Sequence, residues 1–274
     1  MHSHSHMIVP QGPRQTGAEL ASFHVVEAAL QGPSPARRVC IETAHSDQHH
    51  SGANRLLQQR YSWRGYRAVS LPVTGTAEHL PLTASRDGTI IGTLTVGFDG
   101  QRGLNCDNSF ADEVQALRTA GQRLCEFTKL AVEPDAGSCQ VLAALFHVAF
   151  LAARDLHRVD TVLLEVNPRH VRYYQRMLGA SVVGLERTND RVDAPAVLLA
   201  ITSAHIRSQI DQAVWPRPAT QAVRSLYTQA FNRTEEGAIV ERLAAQMAQS
   251  RRGAQQRAFT FRLPATTAET GLAA

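Results

Sequence analysis

The chain has 274 residues, 43% of them hydrophobic and 6% aromatic, with a formal net charge of +4. That length and apolar share support one large domain or two small ones, with a core filled mostly by Ala, Val and Leu. The mild positive charge falls short of the clustered basic face of a nucleic-acid binder, and no run of about 18 apolar residues marks a membrane span.

Residues 1–37, rich in Gly, Pro, Gln and His, read as a flexible lead-in within which Ala18–Leu30 could form a short helix. The opening MHSHSHMIVPQ lacks the cationic and apolar regions of a secretory signal. A folded domain is expected over 38–204. Arg38–Thr43 reads as its first strand, and Asn54–Tyr66 as a helix with apolar residues at helical spacing, stopped by Gly65. Leu80–Ser85 and Thr89–Phe98 flank Asp87-Gly88, a strong hairpin turn signal. Phe110–Ala120 is a short helix and Leu124–Val132 a strand. Cys139–Leu156 is a helix that is apolar nearly all round, so it is expected to be buried. Thr161–Val166 is a buried strand. Pro168 then opens a helix that runs to Leu178 and closes at Gly179. Ser181–Leu185 and Ala196–Thr202 form a last antiparallel pair. Strands alternating with helices in this order give an α/β (α+β) domain with a mixed, partly parallel sheet. Beyond it, 205–249 forms a C-terminal helical extension with helices at Gln221–Phe231 and Thr234–Gln249, and 250–274, without periodicity, reads as a disordered tail.

The four cysteines, Cys40, Cys106, Cys125 and Cys139, form no CxxC pair and no Cys/His zinc spacing. They read as reduced thiols of a cytoplasmic protein. His49-His50 has no supporting ligand spacing, so neither a metal nor a bound cofactor is expected. Of the 28 basic residues, Lys129 alone is lysine. A bias toward Arg explains the others but not the one retained ammonium. A compact point charge is what a guanidinium cannot replace, although chance survival explains a single lysine equally well.

Two stretches carry a family resemblance. Cys125-Glu126-Phe127-Thr128-Lys129-Leu130-Ala131-Val132 resembles the fourth strand of autoinducer and N-acyl amino acid synthases, with a Glu, a basic residue three positions on, then Leu-Ala-Val. Val166-Asn167-Pro168-Arg169-His170-Val171-Arg172-Tyr173-Tyr174-Gln175-Arg176-Met177-Leu178-Gly179 resembles a strand-to-helix segment of the FeeM-like long-chain N-acyl amino acid synthases, which belong to the GNAT-like acyltransferases. The resemblance spans about 89–185 and continues faintly back to 38.

The fold so implied has two parallel strands, Leu124–Val132 and Thr161–Val166, that splay apart so that backbone groups pair with pantetheine amides. A bulge in the first of them would aim an N–H at the thioester oxygen. The resemblance implies Glu126 as general base, against the plainer reading of an arginine's ion-pair partner. It implies Lys129 as the group that holds the acceptor or orients Glu126. On a regular strand those two point to opposite faces, so a bulge between them is a condition of that reading. Tyr174 would protonate the departing thiolate. Tyr61, Trp63, Arg64 and Tyr66 would line the substrate pocket with Asn167 and His170, Asn167 also serving as a helix cap. Glu133-Pro134-Asp135-Ala136-Gly137-Ser138 has one glycine and two carboxylates, a poor pyrophosphate cradle. This favours acyl carrier protein over acyl-CoA as the source of the acyl-phosphopantetheine co-substrate. Arg169, Arg172 and Arg176, with Arg154 and Arg158, could dock its acidic surface, or simply form a solvated face. The expected activity is transfer of a long acyl chain to an amine or amino acid. An acyl-homoserine-lactone synthase and an inactive GNAT-like carrier-binding module are the alternatives.

Overall fold

The computed structural model describes residues 26–29, 38–44, 46–62, 69–71, 78–134, 138–213 and 225–259. Eight strands form one sheet: β1 (Val26–Ala29), β2 (Arg38–Thr43), β3 (His79–Arg86), β4 (Thr89–Phe98), β5 (Leu124–Val132), β6 (Thr161–Val166), β7 (Ser181–Asn189) and β8 (Ala194–Thr202). Their spatial order is β1-β2-β3-β4-β5-β6-β8-β7, and β5–β6 is the parallel pair. The helices are α1 (Asp47–Ser62), α2 (Asp107–Thr119), α3 (Ser138–Leu151), α4 (Val171–Leu178), α5 (Ser203–Ala213) and α6 (Arg233–Phe259). The mixed sheet with splayed central strands and the helical extension agree with the sequence.

Strand alternation sorts the core into two layers. On one face Leu82, Leu94, Val96, Phe127, Val162 and Leu199 pack against α3. On the other, Leu124, Leu163 and Leu198 pack against Phe110 and Val114 of α2, while Ala131 packs against Leu56 and Leu57 of α1. Beyond its first turn helix α3 is apolar nearly all round because almost none of it meets solvent: Leu145, Val148, Ala149, Phe150 and Leu151 are all 0–1% exposed. Contrary to the expectation of no such run, Cys139–Leu156 is long and apolar enough to cross a membrane, but 67% of it is buried inside the domain.

Several boundaries differ from expectation. Val26–Ala29, placed within a possible helix, is instead a strand paired with β2; β-branched Val26 suits an edge strand. Helix α1 begins at Asp47, earlier than the apolar spacing showed, because its first turns are polar and exposed. Gln221–Phe231, expected as a helix, contributes a single 3₁₀ turn at Leu226–Gln229, and 221–224 lie outside the described residues. Ser203–Ala213 forms a helix that was not singled out. α6 continues to Phe259, past the boundary set at 249, since Arg, Ala and Gln sustain a helix without an apolar stripe.

Candidate active site

The sheet opens at its centre. Parallel pairing of β5 with β6 covers Leu124–Thr161, Cys125–Val162 and Glu126–Leu163 and goes no further. Beyond that point β5 stays with β4 and β6 stays with β8. The backbone groups facing the gap are left for a ligand, since an extended chain can add there as a strand.

One residue of β5 is extra. Thr95 pairs with Thr128 and Thr93 with Ala131, so two residues of β5 face one of β4. Lys129 sits in this bulge with φ 51°, the left-handed region that non-glycine residues rarely occupy. The bulge inverts the strand's alternation. Before it, Leu124 faces the α2 layer; after it, Ala131 packs against α1 and Leu130 against the α3 layer. Glu126 and Lys129 therefore line the same cleft. Burial draws the lysine's pKa down, while the neighbouring Glu126 draws it up and Arg191 down.

The cleft, of ≈ 460 Å³, passes through the opened sheet. On the α3 side its wall is Phe127, Leu142, Phe146, Val166, His170, Tyr173 and Tyr174. On the other side it is Glu126, Lys129, Glu165, Arg191, Arg60 and Tyr61. Tyr174 lies against the Phe146 ring, with centroids 6.3 Å apart. The Tyr61 hydroxyl reaches the Leu130 carbonyl at 3.4 Å. Asn167 caps the turn before α4, its Oδ1 accepting from the Arg169 N–H at 3.2 Å, and its Nδ2 reaches the Pro195 carbonyl at 3.4 Å. Trp63, Arg64 and Tyr66 lie outside the described residues.

Glu126 is 3% exposed, so its carboxylate must find donors within the fold. It accepts from the Asn105 carboxamide and, at 3.1 Å, from the Cys106 N–H. Both donors sit in the loop before α2. Arg118 fixes that loop with forked bonds of 2.7–2.8 Å to Asp99 and 2.7 Å to Asp107. Space for the carboxylate comes from Gly97, its partner on β4; a Cβ there would lie 3.0 Å from Glu126 Cγ and 3.1 Å from Oε1. His79 stands across Gly97 on β3, its pKa lowered by burial and by Lys129. Burial and the Glu126 carboxylate push the Cys106 thiol far up, so it is not a nucleophile. Burial likewise raises the Glu165 carboxyl, against the pull of Arg191.

Sequence reading missed Asn105, Cys106, Glu165 and Arg191. A lone Asn in a loop and an Arg in a hairpin turn carry no periodic signal, and only the fold brings them together. Of the five arginines grouped for carrier docking, Arg169, Arg172 and Arg176 are exposed beside the cleft, after β6. Arg154 and Arg158 precede β6 and line a separate open groove with Arg123 and Arg207. Since α3 and β6 run in opposite directions, the two groups fall at opposite ends of the sheet.

A family model described as the N-acyl amino acid synthase FeeM matches residues 52–202, more than half of the chain. The chain belongs to this family. The structure of FeeM, an N-acyl amino acid synthase from uncultured soil microbes, superposes with TM-score 0.57 at 24% identity, over 63% of this chain and 94% of that one. An acyl-CoA N-acyltransferase from Pseudomonas aeruginosa aligns at TM-score 0.42 and 17% identity, over 60% of this chain and 99% of its own. The acyl-homoserine-lactone synthase LasI aligns at 0.44 and 12%, over 61% and 91%. No curated protein matches. The FeeM-family domain of this chain thus has the GNAT-like acyltransferase fold, and the chain is an acyltransferase acting on nitrogen.

Proposed function

We propose that the chain transfers a long acyl group from acyl carrier protein to the α-amine of an amino acid, in the cytoplasm. The observation that carries this is the through-sheet cleft with its two unlike walls. The α3 side is apolar and aromatic, and suits pantetheine and the first carbons of an acyl chain. The opposite side is charged, with a buried, hydrogen-bonded carboxylate, and suits a polar amine. The amine nitrogen attacks the thioester carbonyl, forming the C–N bond, and its proton passes to Glu126. N–H groups of the bulge at Lys129 and Leu130 receive the oxyanion, a contribution of about 3 kcal/mol per donor. The C–S bond then breaks and Tyr174, on the pantetheine side, protonates the leaving thiolate.

Carrier protein rather than coenzyme A is supported by the two carboxylates that precede α3 in sequence, Glu133 and Asp135, since carboxylates beside a pyrophosphate are repulsive. Exposed Arg169, Arg172 and Arg176 beside the cleft suit an acidic carrier. Arg154 and Arg158, at the far end, belong to no such surface. Buried free thiols at Cys106 and Cys125 suit a reducing compartment.

Mass spectrometry of lipid extracts from cells expressing the chain tests this reading. N-acyl amino acids with chains longer than acetyl are expected. Acyl-homoserine lactones instead, or acetylated products alone with acetyl-CoA the preferred donor in vitro, overturn it.

A further inference from the structure

The charged wall of the cleft holds two acidic side chains, Glu126 and Glu165, and three cationic ones, Arg60, Lys129 and Arg191. An α-amino acid brings a carboxylate as well as an amine, so one cation must face that carboxylate. For Lys129, burial disfavours the ammonium, while the nearby Glu126 charge favours it. Of the three, Arg191 is the one bonded to Asn105, which is itself a donor to Glu126.

Arg191 rises from the turn between β7 and β8. The turn is held by Asn189, 4% exposed, whose Oδ1 accepts from the Arg191 N–H at 2.9 Å. The guanidinium donates one bond to Asn105 Oδ1 at 2.9 Å and one to Glu165 Oε2 at 3.0 Å. Of a guanidinium's five N–H donors, these two bonds leave three, on a side chain 38% exposed at the cleft wall. Its charge, unlike that of Lys129, is not lost on burial. The Asn105 carboxamide meets Arg191 through its oxygen and Glu126 through its nitrogen. A single planar amide therefore separates the guanidinium from the catalytic carboxylate. The carboxylate and amine of an α-amino acid are separated by a similarly short stretch of backbone.

We infer that Arg191 binds the acceptor's α-carboxylate and that Asn105 spaces this anchor from Glu126, so that the site selects α-amino acids over neutral amines. This rests on the proposed N-acyl amino acid synthesis. A charge-assisted contact of this kind is worth roughly 10–100-fold in specificity.

The test compares an amino acid with its carboxamide as acceptor, in the full-length chain and in Arg191→Gln and Arg191→Lys. The wild-type chain is expected to prefer the acid. Arg191→Gln is expected to lose about 10–100-fold of that preference, mainly through KM for the acid, with Arg191→Lys intermediate. The ratio of the two acceptors is insensitive to a general loss of rate, so disturbance of Glu126 through Asn105 does not mimic the effect. A ratio unchanged in Arg191→Gln overturns this inference and leaves the proposed function standing. A wild-type chain that acylates amines but no amino acid overturns both.

Discussion

Glu126 is made useful by its neighbours. Gly97 gives it room, and Asn105 and Cys106 supply the donors that make burial of a carboxylate tolerable. Glu126→Gln removes proton acceptance, and it also turns an NH₂ group toward a donor N–H. Asn105 cannot rotate to accommodate it, because its oxygen already serves Arg191. Acyl transfer is expected to fall about 10²–10⁴-fold, with partial relief at high pH where more amine is neutral. Stability is expected to drop by only about 1–2 kcal/mol. A pH–rate profile and a thermal melt of this variant check both; a normal rate in a destabilised protein would make Glu126 a structural ion-pair partner. Glu126 was legible in the sequence because a motif of fixed spacing contains it. Arg191 was not, because its partners Asn105 and Glu165 lie on two other segments.

At the scale of elements, the sequence located the central strands well. Arg38–Thr43, Leu124–Val132 and Thr161–Val166 match their expected ends; Thr161–Val166 carries the apolar run of a strand buried on both faces, while the other two are short β-prone runs interrupted by charged residues. The bulge within β5 was legible only as a condition, because nothing in Thr128-Lys129-Leu130 announces a left-handed residue. Its presence turns Lys129 into the cleft beside Glu126, which meets the condition on which the proposed role of Lys129 depends. Lys129→Ala and Lys129→Arg are both expected to lose most activity with the fold intact, the first lacking the charge and the second too wide for the site. Turnover assays with circular dichroism check this; near-normal turnover by the arginine variant would return the lone lysine to an accident of codon usage.

At the scale of the molecule, the C-terminal extension is stitched into the core. His147 of α3, 5% exposed, accepts the Phe231 N–H at its Nδ1 at 3.0 Å, so its Nε2 faces Glu236 of α6, also at 3.0 Å. Arg207 of α5 donates to the same carboxylate at 2.7 Å. Farther along α6, Gln246 meets Thr43 of β2 at 2.9 Å. Burial opposes ionisation of Glu236, but the bonds from His147 and Arg207 outweigh it and bring the pKa to about 2, from 4.5. A depressed carboxyl stabilises above its unfolded value and loses that contribution as pH falls, here between about 4.5 and about 2. Glu236→Gln is expected to lower stability by about 3 kcal/mol at neutral pH, since buried His147 loses its carboxylate and Arg207 is left with Asp211 alone. It is also expected to flatten the acid side of the melting curve; melts recorded from pH 7 to pH 2 check both. The same clasp orders events in time. The buried flank of α3 receives its cover from residues far downstream, so a ribosome must finish them before that flank can close. Folding of the catalytic layer is then completed only after most of the chain has emerged. A boundary drawn at residue 202, where the family match ends, cuts through a shared core, and the shortened chain would fail by misfolding with every catalytic side chain still in its sequence.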